Sequence, residues 1–388
     1  MPVAPTLRIL DRIDRVTPEA WDALLAPDDP PVLSWYWLEA LEHTGTAGPR
    51  KGWRPNHLAL FREGELVAAC PLWLRDDPDG EFVWYEPVAA FCRETGFDWG
   101  PRGVSTVPAT PVAGRRLLTH PSVDRAVGLG WLIDALGAVL LGQPLASLAL
   151  HFCADDEAEA LAARGWIERR QWQYWWRSAG EQDFEGFLGR LKSKMRRQIR
   201  RERKLLRARG VEPRMVPGSE APLAWFDTAS ELYGLTAERY DVGEQLIAPG
   251  FFPRIGRSPL REKVRFSVGV EGDEVVGLAF ELQGRDALFG RTWGLRHPVE
   301  FLHFECAYYQ SVEYAITQGL SRFEPGHGGE FKHRRGFEPT LVRTMHAYRE
   351  PRLHAAVGGW AKRESTWVDE QIAERRETGT LRVFGDEV

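Results

Sequence analysis

The stretch that most constrains the fold runs from residue 303 to residue 340, HFECAYYQSVEYAITQGLSRFEPGHGGEFKHRRGFEPT. Apolar residues at helical spacing predict an amphipathic helix at its start, and residues 321–324 are typical of a short strand. A turn rich in Gly and His, 325–329, and a basic segment ending in Arg-Gly-Phe follow. A helix that leads into a strand and then into a glycine turn is a common way for α/β enzymes to present a ligand site. We therefore expect a ligand site at the end of this strand.

The rest of the chain predicts an α/β fold with mixed sheets, of the α+β kind. Its 388 residues exceed one ordinary core, so two domains are expected, 1–178 and 179–388. Both halves contain helices, an antiparallel meander and further helix–strand pairs, and the second meander is predicted at 264–271, 274–283 and 287–293. The chain lacks a GxGxxG motif and strict βαβ repetition, which argues against a dinucleotide-binding fold.

A basic helix is predicted to begin at Asp183. From residue 190 to residue 209 the sequence RLKSKMRRQIRRERKLLRAR carries many cations and a single acid, Glu202, in a chain of net charge −5. The bland interpretation is a solvated helix face. Dense like charge destabilises a helix, however, so contact with a polyanion is the alternative: tRNA phosphates, the phosphates of coenzyme A, or an anionic membrane surface. The predicted phosphate- or tRNA-binding residues are Lys192, Lys194, Arg196, Arg197, Arg200 and Arg201.

A second candidate anion site is the Gly-Arg-Arg turn at 114–116, within the segment TPVAGRRLL. Its backbone N–H groups and arginines could hold an anion, or it could be a solvated turn. The sequence leaves both interpretations open.

Localisation and metal content are predicted from absent patterns. The N-terminus has no long apolar run typical of a signal peptide, and the run 131–141 is interrupted by Asp134 and is too short for a bilayer. The four cysteines form no CxxC pair and are expected to be buried free thiols. We expect a cytoplasmic protein without a transmembrane segment, for which peripheral membrane contact stays open. No HExxH or paired CxxC is present, so no metal site is predicted.

The 303–340 stretch resembles the signature of the bacterial peptidoglycan biosynthesis/recognition family of N-acyltransferases. The segments GWRPNHLAL, VPATPVAGRRLL, KSKMRRQIRRERK and GRTWG extend the resemblance over nearly the whole chain. It implies two tandem GNAT-like domains (the acyl-CoA N-acyltransferase fold). It also implies a distant similarity to Fem-type peptidyltransferases, which move amino acids from aminoacyl-tRNA to peptidoglycan precursors. FKHRRGF is similar to their Phe-Lys-x-Gly-Phe turn, and GHGGEFK stands where family members often carry GAQGEHK, so that His327, Gly328 and Phe331 depart from the pattern.

The resemblance implies transfer of an acyl or aminoacyl group to an amine, in cell-wall precursor or peptide metabolism. Acyl-CoA or aminoacyl-tRNA would be the co-substrate, with no tightly bound cofactor. In GNAT folds the splayed fourth and fifth strands grip the donor, and these correspond here to 287–293 and 321–324. The first domain lacks a counterpart of the glycine turn and is expected to be a degenerate copy. The alternative function is a non-catalytic protein that recognises a cell-wall precursor or a polyanion.

Acyl transfer to an amine needs a proton acceptor, a group that stabilises the oxyanion, and contacts that align the reactants. The candidate catalytic residues are Glu305, His303, Lys332 and Arg291. The candidate substrate-binding residues, which include the amine acceptor's contacts, are Glu324, His327, Arg334, Arg335 and Tyr309. Whether Glu305 or His303 is the base stays open. Glu324 could instead simply pair with Arg322 or Arg291, and His303 could N-cap or line a helix.

Overall fold

The computed structural model describes residues 4–76, 81–239 and 246–381. The chain divides into two compact units, Met1–Gln171 with Leu341–Asp369, and Trp172–Thr340 with Glu370–Val388. The sequence-based division at residue 178 places 341–369 in the second domain, whereas this segment belongs to the first unit. A local pattern carries no information about which core a late segment joins, so this return of the chain is invisible in the sequence.

The first unit combines two sheets with helices. Its strands are β1 (Thr6–Leu10), β2 (Trp53–Pro55), β3 (His57–Arg62), β4 (Glu65–Cys70), β5 (Leu72–Arg75), β6 (Arg102–Ser105), β7 (Leu118–Thr119) and β8 (Ser147–Cys153). Its helices are α1 (Pro18–Asp22), α2 (Trp35–His43), α3 (Glu86–Thr95), α4 (Arg125–Gly142) and α5 (Asp155–Ala163). One sheet has the order β1-β3-β4-β7 and is antiparallel. In the other, β6 pairs with β8 in parallel and with β5 antiparallel.

Helix α4 is the one described helix long and apolar enough to cross a membrane by length and composition. Its residues Leu132, Leu136 and Val139 are buried in the core of the first unit. A core helix of a soluble protein has the same properties, so the predicted absence of a transmembrane segment and the cytoplasmic localisation stay predictions.

The turn at 114–116 holds an anion that the chain itself supplies. The backbone N–H groups of Arg116 and Leu117 donate to the carboxylate of Glu157 at 2.9 and 2.7 Å. Arg115 forms an ion pair with Asp29. The interpretation as a solvated turn is therefore wrong, and the anion site is filled by an internal carboxylate that ties the turn to α5.

The second unit is built on one mixed sheet. Its strands, with β9 and the last strand each extending into the first unit, are β9 (Ile167–Arg177), β10 (Val211–Pro217), β11 (Val264–Glu271), β12 (Glu274–Gln283), β13 (Ala287–Leu295), β14 (Arg322–Glu324) and β15 (Glu338–Tyr348). Strands β10 to β13 form an antiparallel meander, as the alternating pattern predicts, and β13 then pairs with β14 in parallel. This arrangement confirms the predicted mixed α/β class.

The helices of the second unit cover this sheet. They are α6 (Phe184–Arg190), α7 (Ser193–Ala208), α8 (Ala224–Arg239), α9 (Phe251–Gly256), α10 (Leu302–Phe304), α11 (Gln310–Thr317), α12 (Glu330–Arg334) and the end of α13 (Pro351–Thr378). A π-helical segment, Glu305–Tyr309, joins α10 to α11. The basic helix predicted to run on from Asp183 is interrupted between α6 and α7, where buried Leu191 forms a β-bridge with Leu381.

Candidate functional site

The pairing between strands β13 and β14 ends where the glycine turn begins. They pair in parallel only from Ala287 and Arg322 to Phe289 and Glu324, and β13 then continues to Leu295. The chain after β14 passes close to β13, because a Cβ added at Gly290 would lie 3.1 Å from the Cα of Pro325. The predicted ligand turn therefore begins directly after the last pair between the two parallel strands and lies against Gly290 of β13.

The π-helical segment brings Glu305 against the basic helix α7. Arg203 Nε donates to both carboxylate oxygens of Glu305 at 3.0 Å, and Glu305 is 1% exposed. Burial raises the pKa of the Glu305 carboxyl, and the guanidinium of Arg203 opposes that rise. A buried and paired carboxylate holds α7 in place, because removing either partner would leave an uncompensated charge. Catalysis by Glu305 stays a prediction, and its geometry favours a positioning role.

A second buried network joins α7 to the end of the FKHRRGF segment. The Tyr309 hydroxyl donates to Glu202 Oε2 at 2.5 Å, and Arg335 Nε donates to the Tyr309 hydroxyl oxygen at 2.7 Å. Arg335 Nη2 also donates to Glu202 Oε1 at 3.2 Å, and its guanidinium lies 3.4 Å from the ring centroid of Phe304. These contacts fix the turn relative to α7. Both side chains therefore have internal partners. The predicted contacts of Tyr309 and Arg335 with substrate stay predictions.

Lys332 is buried at the first turn of α12, with 3% of its surface exposed. Its Nζ donates to the carbonyl oxygens of Gly326 at 2.7 Å and His327 at 3.2 Å. Burial lowers the pKa of Lys332 to about 7. The two hydrogen bonds of this ammonium close the glycine turn. At neutral pH about half of the Lys332 side chains are protonated, because this pH is close to the pKa.

His303 lies half-buried among aromatic rings. The ring centroids of Trp293, Tyr308 and Phe331 are 5.3, 5.3 and 5.7 Å from that of His303. Burial lowers the pKa of His303 to about 4, and the positive charge of Lys332 adds to that effect. His303 is therefore a neutral imidazole at pH 7. Phe331, at 38% exposure, is the ring of this cluster that faces solvent most.

The remaining predicted residues differ in exposure. Glu324 is buried and accepts a hydrogen bond from Arg322 Nε at 2.9 Å, as the simpler alternative expects. Arg291 lies on β13 just past the last residue that pairs with β14, whereas His327 and Arg334 are exposed. In the part of the chain that the structure describes, no three His, Cys, Asp or Glu side chains are placed to hold a metal ion.

The outer face of α7 is a cationic surface. Its exposed residues Lys194, Arg197, Arg201 and Lys204 follow i, i+3, i+7 and i+10 spacing, so they lie along one stripe. Over the described ranges, none of these four forms an ion pair with a carboxylate, whereas Arg200 pairs with Glu185. Lys192 is exposed at the start of the helix and Arg196 is half-buried. The structure thus brings three of the six predicted phosphate-binding residues, Lys194, Arg197 and Arg201, to one open stripe together with Lys204.

Two buried acids were missed by the sequence reasoning. Glu202, the lone acid in the basic run, is 4% exposed and sits on the inward face of α7, and its isolation among cations was the available signal. Glu281 on β12 is 1% exposed and accepts a hydrogen bond from Ser311 Oγ at 2.6 Å. Its second oxygen has no partner among the described residues. Burial raises the pKa of Glu281 to about 8.

The fold is that of a mixed α/β protein in two units whose sheets combine parallel and antiparallel pairs. The chain belongs to the FemAB-like family, described as peptidoglycan biosynthesis/recognition, whose profile matches residues 12–383. The predicted family is thereby confirmed. Comparison with curated protein sequences gives no significant match.

Solved structures share this architecture at low sequence identity. FemX is 12% identical, with a TM-score of 0.50 over 88% of this chain and 98% of that chain. L-PGS from Bacillus licheniformis is 11% identical, with a TM-score of 0.50 over 89% and 97%. A tandem GNAT protein from the clavulanic acid biosynthesis pathway is 14% identical, with a TM-score of 0.42 over 89% and 99%. These likenesses concern the fold, and the predicted fold class is confirmed.

Proposed function

We propose that the second unit transfers an acyl or aminoacyl group from a thioester or ester donor to an amine. The observation that carries the proposal is the end of the β13–β14 pairing directly before the turn that Lys332 closes. Past Phe289 the described part of β13 pairs with β12 alone, so its backbone groups on the other side can align an extended donor. A buried ammonium next to them supplies positive charge where an oxyanion would form.

In the proposed reaction the amine attacks the donor carbonyl carbon, and a C–N bond forms. The carbonyl oxygen becomes an oxyanion, which the ammonium of Lys332 stabilises. Collapse of this intermediate breaks the C–S or C–O bond of the donor, and the attacking nitrogen gives up one proton. A pKa of about 7 keeps a substantial fraction of Lys332 charged at neutral pH, as this role requires.

His303 is the better supported of the two candidate proton acceptors. Its imidazole is neutral at pH 7, because its pKa is lowered to about 4, and the hydroxyl of Tyr308 lies 3.5 Å from its Nε2. Glu305 instead binds Arg203 through both oxygens. We assign Glu305 to positioning the cationic helix and His303 to accepting the proton.

The donor would be recognised partly through its phosphates. The stripe of four exposed cations on α7 extends over about 15 Å, the rise of ten helical residues, which suits several successive phosphates. An aminoacyl-tRNA presents such a series, whereas acyl-CoA presents one compact cluster. The stripe therefore favours the nucleic-acid donor, with an amine of a cell-wall precursor as the acceptor suggested by the family description.

The experiment compares the two donor classes with the purified full chain. Radiolabelled acetyl-CoA and a mixture of charged tRNAs are each incubated with a peptidoglycan precursor that carries a free amine. Lys332→Met should reduce transfer by about 100-fold, the usual loss of one oxyanion contact, and Lys332→Arg should restore part of it. Lys263→Met, at an exposed lysine of the same unit, is the control.

One observation favours the alternative, a binding protein without turnover. The carboxylate of Glu305, a candidate base, already accepts a hydrogen bond from Arg203. If neither donor is consumed while the precursor raises the melting temperature of the protein, the binding function replaces the transferase. Transfer that Lys332→Met leaves at the wild-type rate would remove the assigned mechanism.

A further inference from the structure

A pocket of about 660 Å³ is lined by residues of the second unit alone and has no role in the proposed reaction. It is lined by residues 179–181 before α6 and by two residues of α6, Gly186 and Arg190. His333 and Phe337, after the glycine turn, and the end of α13 form the rest of its wall. A volume in this range is typical of sites for small organic ligands. Lys332 is not among the residues that line it, and its ammonium is bound to the carbonyls of Gly326 and His327.

Three arginines line the pocket, and two of them already have carboxylate partners. Arg190 binds Glu181 at 2.9 Å and Glu338 at 3.4 Å. Arg375 lies 3.7 Å from the carboxylate of Glu330 and donates to the hydroxyl of Tyr174 at 3.1 Å. Both guanidinium groups stay charged, but these contacts occupy some of the N–H groups that a ligand would need.

Arg376 is different. Its Nη2 donates to the backbone carbonyl of Pro339 at 3.4 Å, and within the described ranges it contacts no carboxylate. Its guanidinium is exposed and lines the pocket, so its remaining N–H groups can meet an incoming anion.

The surroundings of His333 also indicate a positive potential. Burial is the main cause that lowers the pKa of His333, and the negative charge of Glu330 opposes it. The positive charges of Arg375, Arg334 and Lys192 lower this pKa further. Cations from three separate elements thus act on one wall of the pocket. The carboxylates of Glu181 and Glu338, which also line the pocket, are paired with Arg190, and the remaining positive charge attracts anionic ligands.

Another part of the pocket wall is formed by apolar residues and a glycine. Phe337 is 2% exposed in the core and presents part of its surface to the pocket, together with Leu381. Gly379 packs so closely against its neighbours that an added Cβ would lie 3.1 Å from the His333 ring, which keeps this wall free of side chains. The pocket therefore combines an anion contact with a surface for a flat or apolar group.

We propose that this pocket binds a phosphate monoester of nucleotide size, with its phosphate on Arg376 and its body against Phe337 and Leu381. The proposal does not depend on acyl transfer. A mononucleotide and the glycerol phosphate headgroup of a lipid share the recognised phosphate ester, and they differ in the body that meets the apolar wall.

The test is isothermal titration of the full chain with AMP, with glycerol 3-phosphate and with inorganic phosphate. Binding of AMP is expected, and Arg376→Ala should weaken it about tenfold through loss of a charge-assisted contact. Lys362→Ala, at an exposed residue of the same terminal helix outside the pocket, should leave binding unchanged. Tighter binding of glycerol 3-phosphate than of AMP would support the phosphate site and identify the lipid headgroup as its source.

The absence of binding by all three probes would overturn the proposal, and so would equal affinity of Arg376→Ala and wild type. Because Arg376 is exposed, the variant is expected to fold, and its melting temperature checks this. Lys332→Met separates the two proposals: it should retain AMP binding even where transfer is lost. Loss of AMP binding in Lys332→Met with an unchanged melting temperature would instead place the ligand at the transfer site and refute the separate pocket.

Discussion

Glu281 offers the sharpest test of the energetics of the second unit. Its carboxyl is fully buried on β12, one oxygen accepts a hydrogen bond from Ser311, and the other has no partner in the described chain. Burial without a cation raises its pKa from an ordinary 4.5 to about 8. The substitution Glu281→Gln keeps the shape and an acceptor for Ser311, and it removes the titration.

The sign and size of the effect follow from proton linkage. Because the folded pKa lies above the unfolded one, the folded state holds the extra proton, so the stabilising contribution is complete below pH 4.5. It is lost progressively as the pH rises to about 8. The slope in this window is about 1.4 kcal/mol per pH unit, so between pH 5.5 and 7.5 the wild type should lose roughly 2.7 kcal/mol relative to Glu281→Gln.

The assay is thermal unfolding of wild type and Glu281→Gln across that window, followed by a signal from the second unit. A relative loss of this size corresponds to a change of about 5–10 °C in the difference between their melting temperatures. Glu274→Gln, at an exposed carboxylate of the same strand, is the control and should follow the wild type. Parallel curves for wild type and Glu281→Gln would refute the buried, proton-holding state of this carboxyl.

Three further outcomes are expected. Arg335→Met should lower the free energy of unfolding by about 3 kcal/mol or more in urea titrations, because it leaves a buried carboxylate uncompensated; the same change at exposed Arg334 should cost little. Gly137→Ala should raise the melting temperature by an amount equivalent to about 1 kcal/mol, since nothing lies within 4 Å of an added Cβ on this helix; a lower value would contradict it. Replacing Arg197 and Arg201 together by Ala should reduce the slope of log affinity for tRNA against log salt by about two, measured by filter binding, and an unchanged slope would exclude this face from phosphate contact.

The meander of the second unit was predictable because its information is local. Period-two alternation and the turns Glu271–Glu274 and Gln283–Ala287 place β11 to β13 almost as observed. The break between α6 and α7 was not predictable, because it depends on Leu191 pairing with Leu381, nearly two hundred residues away in sequence. The return of 341–369 to the first unit is non-local in the same way.

The candidate site was likewise predictable only in part from the sequence. The position of the ligand turn and the open cationic face followed from composition and from the family resemblance. The partners of Glu305 and Arg335 did not, since a charged residue in a sequence does not reveal which opposite charge will be buried with it. Lone Glu202 among cations was the one local hint, because an acid on the apolar side of a basic helix needs a buried partner.

The ion pairs beneath α7 also determine the direction in which its outer charges point. Glu202 and Arg203 are adjacent in sequence, and each is anchored to a different partner, Arg335 and Glu305. Together they set the rotational phase of the helix, and every residue added or removed before them would turn the preceding cations by about 100°. Insertions between Lys194 and Glu202 would therefore misalign the cationic stripe without altering its composition, so the length of this short segment is under the same constraint as its charge.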